Sequence, residues 1–204
     1  KLRLAATIFT PLGVPGPQLL ATRGYGADVS LEGETVETPL RLAAEFAART
    51  GAVLIHPFDH RDVIIGQGTL GLEIYDDVPD LDTVVLGIGG GGLIAGVAGA
   101  VKARAAADGR TVRVIGVQAA NSAAYPSSLA AGEPLTVLVA PTIADGIAVA
   151  RPGDVPFEVI RDLVDEVVTV TDDDIARALL VLLERAKQVV EPAGAVGVAA
   201  ILAG

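Results

Sequence analysis

The stretch GIGGGGLIAG, running from Gly87 to Gly96, constrains this chain more than any other. Four consecutive glycines, Gly89 to Gly92, follow an apolar run, DTVVL, with the character of a buried strand. Glycine loses more backbone entropy on folding than any other residue, so four in a row need a physical reason. Positive φ is one reason, and a ligand lying against bare backbone is another. Three situations are conceivable for such a loop: a dinucleotide, a smaller phosphate-bearing cofactor, or no ligand. The 19 residues from Thr83 to Val101 carry no formal charge and are long enough to span a bilayer. Seven of them are glycine, however, and a lipid-exposed helix cannot unwind where its backbone groups find no partners. A buried strand–loop–helix is the expectation.

The flanking pattern supports it. Leu4–Phe9, Ala27–Leu31, Ala52–His56, Thr83–Gly87, Thr111–Val117 and Glu166–Val170 read as short apolar strands. Helices are expected over 16–25, Glu37–Thr50, from Asp62 through Gly68 to Tyr75, Leu93–Ala107 and Asp172–Val189, with Gly51 a C-terminal stop. Thr171 is an N-cap with Asp174 three residues on, a capping box with Asp in place of Glu. The aspartates 172–174 could be read as a cation site, but their place in a first turn opposite the helix dipole accounts for them. Pro192 suits a first helical position, with Glu191 before it. Between Ala119 and Glu166 the pattern loosens. Alternating strands and helices, with strands apolar throughout, imply an α/β fold: a parallel sheet covered by helices on both faces.

Composition excludes several classes. The chain has 204 residues, is 51% hydrophobic and only 3% aromatic, so Ala, Val, Leu and Ile must build its core. With 15 basic against 25 acidic residues, its net charge is −10, which leaves no basic footprint for nucleic acid. Absence of cysteine removes disulfides and thiolate metal sites. No charged segment followed by an apolar one opens the chain, so a secreted protein is not expected. It begins at Lys1 rather than Met and a strand-like run follows almost at once, so a piece of a longer protein is expected.

Gly87, Gly89 and Gly92 satisfy G-x-G-x-x-G between a strand and a helix. A dinucleotide site also wants Asp or Glu after the next strand, and here that strand runs into Gln118-Ala119-Ala120-Asn121. The fingerprint fails at its discriminating residue. Several glycine N–H groups and the positive end of a helix suit a phosphate monoester instead. The bland alternative is a tight turn, which needs one or two glycines rather than four.

These residues resemble the phosphate loop of the serine/threonine dehydratase family, which are fold-type II pyridoxal-phosphate enzymes. The likeness extends in order through 56–74 (HPFDHRDVIIGQGTLGLEI), 142–149 (TIADGIAV), 161–175 (RDLVDEVVTVTDDDI) and 184–200 (ERAKQVVEPAGAVGVAA), and covers nearly the whole chain. It implies a parallel three-layer αβα sheet of the tryptophan-synthase-β kind, incomplete here. Residues 1–55 would be the remainder of a small domain and 56–204 most of a large cofactor-binding domain. It implies that Gly89, Gly90, Gly91, Gly92 and Leu93 offer N–H groups to the phosphate of pyridoxal phosphate. Gly146 would lie against the pyridoxal ring and Glu191 near the ring's far edge. The implied reaction takes L-threonine to 2-oxobutanoate and ammonia, or L-serine to pyruvate. The implied setting is cytoplasmic amino-acid metabolism, isoleucine biosynthesis included, by a homo-oligomer at full length.

The resemblance also exposes gaps. The family carries its cofactor on a lysine within S-x-K-x-R-G-A, which has no counterpart here. Of the three lysines, Lys1, Lys102 and Lys187, none stands at that position, so no catalytic residue is assigned. The family's S-G-G-N segment, which partners the ring nitrogen, is also not matched. Relatives such as serine racemase place a cation on carboxylates after the strand that follows the glycine loop. Gln118 and Ala124 stand there, and no metal is expected. His56 and His60 flank Pro57 without a third ligand and read as a loop pair. Rival readings are a racemase or another β-eliminating enzyme on the same fold, and a non-catalytic phosphate-binding or interaction protein.

Overall fold

The computed structural model describes residues 4–34 and 36–204, and Lys1 lies outside them. The chain divides into two compact units, Lys1–His56 and Pro57–Gly204. In the first, β1 (Thr7–Thr10) and β2 (Asp28–Leu31) pair in parallel, Thr7 opposite Asp28, with α1 (Gly16–Gly24) between them in sequence. Helix α2 (Glu37–Thr50) packs on β1, with the Phe9 and Phe46 rings 5.6 Å apart. It stops where Gly51 turns left-handed at φ 75°, a conformation that glycine adopts without a Cβ penalty. Pro39, in the first turn of α2, is the one buried residue among those described in this unit.

The second unit holds the substantial core. Strands β3 (Thr83–Gly87), β4 (Arg113–Ala119) and β5 (Glu166–Val170) form a parallel sheet in the order β3-β4-β5. Helices α3 (Arg61–Asp77), α4 (Gly92–Ala107), α5 (Tyr125–Ala131) and α6 (Asp154–Leu163) contribute to cores that include Val84 and Val114. On β4 the next residues along, Val117 and Ala119, belong to a separate core with Ile175 and Ala178 of α7 (Asp172–Val181) and Val196 of α8 (Pro192–Ala203). Because successive side chains of a strand alternate faces, one apolar strand supplies both cores. This is the three-layer parallel α/β arrangement expected.

Several expectations need correction. Ala52–His56 is no strand: it pairs with no strand among the described residues, and Val53 and Ile55 are 88% and 78% exposed. Its apolar β-branched residues carry the composition of a strand, but pairing needs a neighbour. Helices α5 and α6 lie in the stretch that reads as irregular. The helix after Asp172 ends at Val181 and passes into a π-type turn over Leu182–Ala186, closed by Lys187 at φ 57°. Thr171 and Asp174 do form the reciprocal capping box, with Thr171 Oγ1 accepting from Asp174 N at 3.2 Å.

Candidate cofactor-phosphate site

The glycine loop leaves the carboxyl end of β3, where open parallel sheets gather their ligands. Ile88, its first residue, is fully buried against Gly116 of β4, where any side chain would collide with it. Gly91 caps α4 at φ 102°, and Ala95 N donates to Gly91 O at 3.0 Å as the first helical bond. Gly92 and Leu93, in the first turn, therefore have no acceptor within the helix. The N–H groups of Gly89, Gly90 and Gly91 likewise make no hydrogen bond to any described residue. Five consecutive N–H groups thus stand at the positive end of a 16-residue helix.

Each of the four glycines also has a protein neighbour close to where a side chain would go, tightest at Gly90 and Gly91. A Cβ on Gly89 would lie 3.2 Å from Ile147 Cα, and one on Gly92 would lie 3.0 Å from Phe58 Cα. On Gly90 it would enter the Phe58 ring, and on Gly91 it would strike the Tyr125 hydroxyl, 2.8 Å from Ile160 Cδ1. This corrects the idea that four glycines exceed what a turn needs. Here the protein's own packing excludes a Cβ at Gly90 and Gly91 and crowds Gly89 and Gly92, and the case for a ligand passes to the free N–H groups.

The structure brings the other predicted residues to the same place. Gly146 lies in a short 3₁₀ turn, Asp145–Ile147, whose Ile147 packs on Gly89. A Cβ on Gly146 would meet Ala193 Cβ at 3.2 Å and Glu191 Oε1 at 3.6 Å. Glu191 is the N-cap residue of α8, with Pro192 at the first helical position. Asp172 holds the 142–146 segment in place, accepting from Thr142 Oγ1 at 2.6 Å and from Ile143 N at 3.1 Å. Gly90, Gly91 and Gly92 are buried, Gly89 is half-buried, and Leu93, Gly146 and Glu191 are exposed. The gathered groups form a wall of backbone donors beside one carboxylate.

The whole chain, residues 1–204, matches the family described as "Pyridoxal-phosphate dependent enzyme". The chain belongs to that family. It is 48% identical over 199 residues to an L-threonine ammonia-lyase of Thermotoga maritima, covering 98% of this chain and 49% of that protein. It is 41% identical over 203 residues to the catabolic L-threonine dehydratase TdcB of Escherichia coli, covering 100% and 60%. Among solved structures, maize serine racemase superposes with a TM-score of 0.91 at 37% identity, covering 98% of this chain and 59% of that one. The processed form of threonine deaminase isoform 2 from Solanum lycopersicum superposes at 0.87 with 36% identity, covering 96% and 56%. The chain therefore spans about half the length of the curated relatives that it matches.

For a pyridoxal-phosphate-dependent enzyme, the donor set suits the cofactor's phosphate: a dianion accepts from several N–H groups and gains from the helix dipole. The described lysines serve elsewhere. Lys102 Nζ donates to Asp165 Oδ2 at 2.6 Å, and Lys187 Nζ donates to Glu184 O at 2.8 Å. At the positions that the resemblance compared with a cation site, Gln118 spends its amide on Tyr125 N and Ile88 O, and Ala124 brings no oxygen on its side chain. His60 Nδ1 accepts from Asp62 N at 3.2 Å and so caps α3. No described helix is long and apolar enough to cross a membrane.

Sequence reasoning passed over Phe58, Tyr125 and Gly153 as neighbours of the loop. Tyr125 Oη donates to Gly90 O at 3.1 Å across 35 residues of sequence, and Gly153 N donates to the same oxygen at 3.1 Å. No local pattern reports such contacts. Helix α6 did have a signal: Val155, Val159, Ile160 and Leu163 recur at helical spacing.

Proposed function

We propose that this chain carries the phosphate-holding part of a pyridoxal-phosphate-dependent L-threonine/L-serine ammonia-lyase. The observation behind this reading is the row of unpartnered N–H groups from Gly89 to Leu93 at the start of α4. When bound, pyridoxal phosphate supplies the electron sink for loss of water across Cα–Cβ of the amino acid. The chain's own residues have simpler tasks. Gly89, Gly90, Gly91, Gly92 and Leu93 hold the phosphate, Gly146 leaves room for the ring, and Glu191 presents a carboxylate at its edge. Residues 1–55 would then belong to a small domain and 56–204 to the cofactor-binding domain of a cytoplasmic homo-oligomer. The names of the Thermotoga and Escherichia relatives support the substrate class.

Titration of the 204-residue chain with pyridoxal phosphate and with unphosphorylated pyridoxal tests the site. The phosphorylated form should bind at least tenfold more tightly, a difference of about 1.4 kcal/mol. Equal affinity would remove the phosphate assignment. EDTA should leave the affinity unchanged, because Gln118 and Ala124 supply no carboxylate for a cation. Expression from the whole coding region should give 2-oxobutanoate from L-threonine and pyruvate from L-serine. Appearance of D-serine without pyruvate would favour the racemase reading that the maize structure suggests.

A further inference from the structure

Three of the loop's carbonyl groups, those of Ile88, Gly90 and Gly91, are held by donors, and this determines where the N–H groups that follow them go. Gln118 Nε2 donates to Ile88 O at 3.4 Å. Tyr125 Oη and Gly153 N both donate to Gly90 O, and Ala95 N donates to Gly91 O. In a planar trans peptide the C=O of one residue and the N–H of the next point in opposite directions. None of the described peptide bonds is cis. Tethering the carbonyls of Ile88, Gly90 and Gly91 therefore turns the N–H groups of Gly89, Gly91 and Gly92 the other way.

The two residues whose side chains do the tethering are themselves joined, through the Tyr125 main chain. Gln118 is fully buried, and its Oε1 accepts from Tyr125 N at 2.8 Å, so its amide spans β4, α5 and the loop. Tyr125 is also fully buried, with its ring stacked on Phe157 at 6.4 Å between centroids. Burial first, and the charge of Asp59 second, push its hydroxyl pKa well up, so the proton needed for donation stays in place.

We propose that Gln118 and Tyr125 are positioning residues that aim the Gly89 and Gly91 N–H groups at a phosphate monoester. This rests on the reading of the loop as a phosphate site and adds to it a division of labour. Gln118 orients the 88–89 peptide and Tyr125 the 90–91 peptide. Substituting either residue should weaken phosphate capture through one named amide.

The test uses the ¹⁵N-labelled 204-residue chain, titrated with pyridoxal phosphate, pyridoxal and inorganic phosphate. Tyr125→Phe keeps the stacked ring and removes one neutral hydrogen bond. Pyridoxal phosphate should then bind about three- to tenfold more weakly. Pyridoxal affinity should not change. The phosphate-induced shift of the Gly91 amide should shrink while that of Gly89 persists. Gln118→Met, which keeps length and apolar volume, should give the mirrored pattern, and it decides the matter if Tyr125→Phe fails to fold. A wild-type chain without preference for the phosphorylated ligand overturns the site itself. A preference that survives in both folded variants, or shifts that shrink equally at both glycines, overturns the positioning roles while leaving the site intact.

Discussion

Glycine is crowded into two neighbouring regions of the larger unit, and it serves different ends in each. In the loop before α4, Phe58, Ile147 and Tyr125 crowd the Cβ positions of the glycines while their N–H groups find no acceptor among the described residues, which suits the proposed phosphate site. Further along the same helix, Gly96 faces Gly68 of α3 while Gly71 of α3 faces Val97, and glycine simply lets two helices approach. A Cβ on Gly96 would enter the Ile64 carbonyl oxygen and lie 2.7 Å from Gly68 N, and one on Gly71 would lie 2.9 Å from Val97 O. The loop glycines and Gly96 share one strand–turn–helix, and Gly68 and Gly71 meet that helix from α3. Only what lies opposite each Cα separates function from packing.

The sharpest way to break this distinction is Gly96→Ala. Its neighbours are backbone atoms of α3, which cannot rotate aside, so the helices must part. Urea unfolding should show a loss of about 3 kcal/mol or more. In whatever fraction stays folded, the preference for phosphorylated ligand should survive. A variant that lost the preference at full stability would place the ligand at the crossing and undo the comparison.

Gly91→Ala should cost less stability and more binding. Its φ of 102° strains any residue with a Cβ, at about 1–3 kcal/mol, and the methyl group must also displace the Tyr125 hydroxyl. Loss of the Tyr125 donor, which leaves Gly153 N alone on Gly90 O, together with the strained backbone should abolish most of the preference for pyridoxal phosphate over pyridoxal. Retention of the preference in isothermal titration would show that the loop is ordinary packing like the crossing.

Gly99 is the internal control on α4, since nothing lies within 4 Å of its added Cβ. Gly99→Ala should raise stability by about 0.5–1 kcal/mol through reduced backbone entropy of the unfolded chain and better helix propensity. Destabilisation there would mean that α4 tolerates no added methyl group anywhere, and the distinction between the two regions would lose its footing.

The smallest effect concerns how far charge, rather than close packing, seats α4. Burial acts most strongly on Asp165 and pushes its carboxyl up. The Lys102 hydrogen bond, the Val114 N–H and the charges of Lys102 and Arg113 together outweigh it and hold the group below the ordinary carboxylate range. A value depressed in the folded state adds stability that is present above the unfolded value of about 4 and is lost as pH falls through the folded one. The Asp165 side chain is 37% exposed, so solvent screening should keep this contribution under about 1 kcal/mol. Unfolding midpoints of wild type and Asp165→Asn should therefore converge as the pH drops through that window. A gap independent of pH would point to lost geometry at Val114 N instead.

Much of this fold was legible from one sequence because the signals are local. β3 lies where a five-residue apolar run ends at glycine, α2 spans the amphipathic stretch up to its left-handed stop, and Thr171 pairs with Asp174 as spacing predicts. The grouping of the glycine loop, Gly146 and Glu191 came from resemblance, and the structure does bring them together. Ala52–His56 misled for a physical reason: strand composition describes a surface that suits pairing, while a strand exists only if another lies alongside.

The sequence by itself determined the strand–loop–helix, the apolar parallel sheet and the presence of a helix N-terminus rich in glycine. Short-range sterics and hydrophobic period decide those, and both are written in adjacent residues. Tertiary structure alone decided why Gly90 and Gly91 have no room for a Cβ and which donors hold the carbonyls of Ile88, Gly90 and Gly91. Phe58, Gln118, Tyr125 and Gly153 reach the loop from as far as 63 residues away in the chain, counting Gly90 to Gly153. Peptide orientation depends on which carbonyls find donors, and those donors are supplied by chain closure across the sheet rather than by any neighbour in sequence.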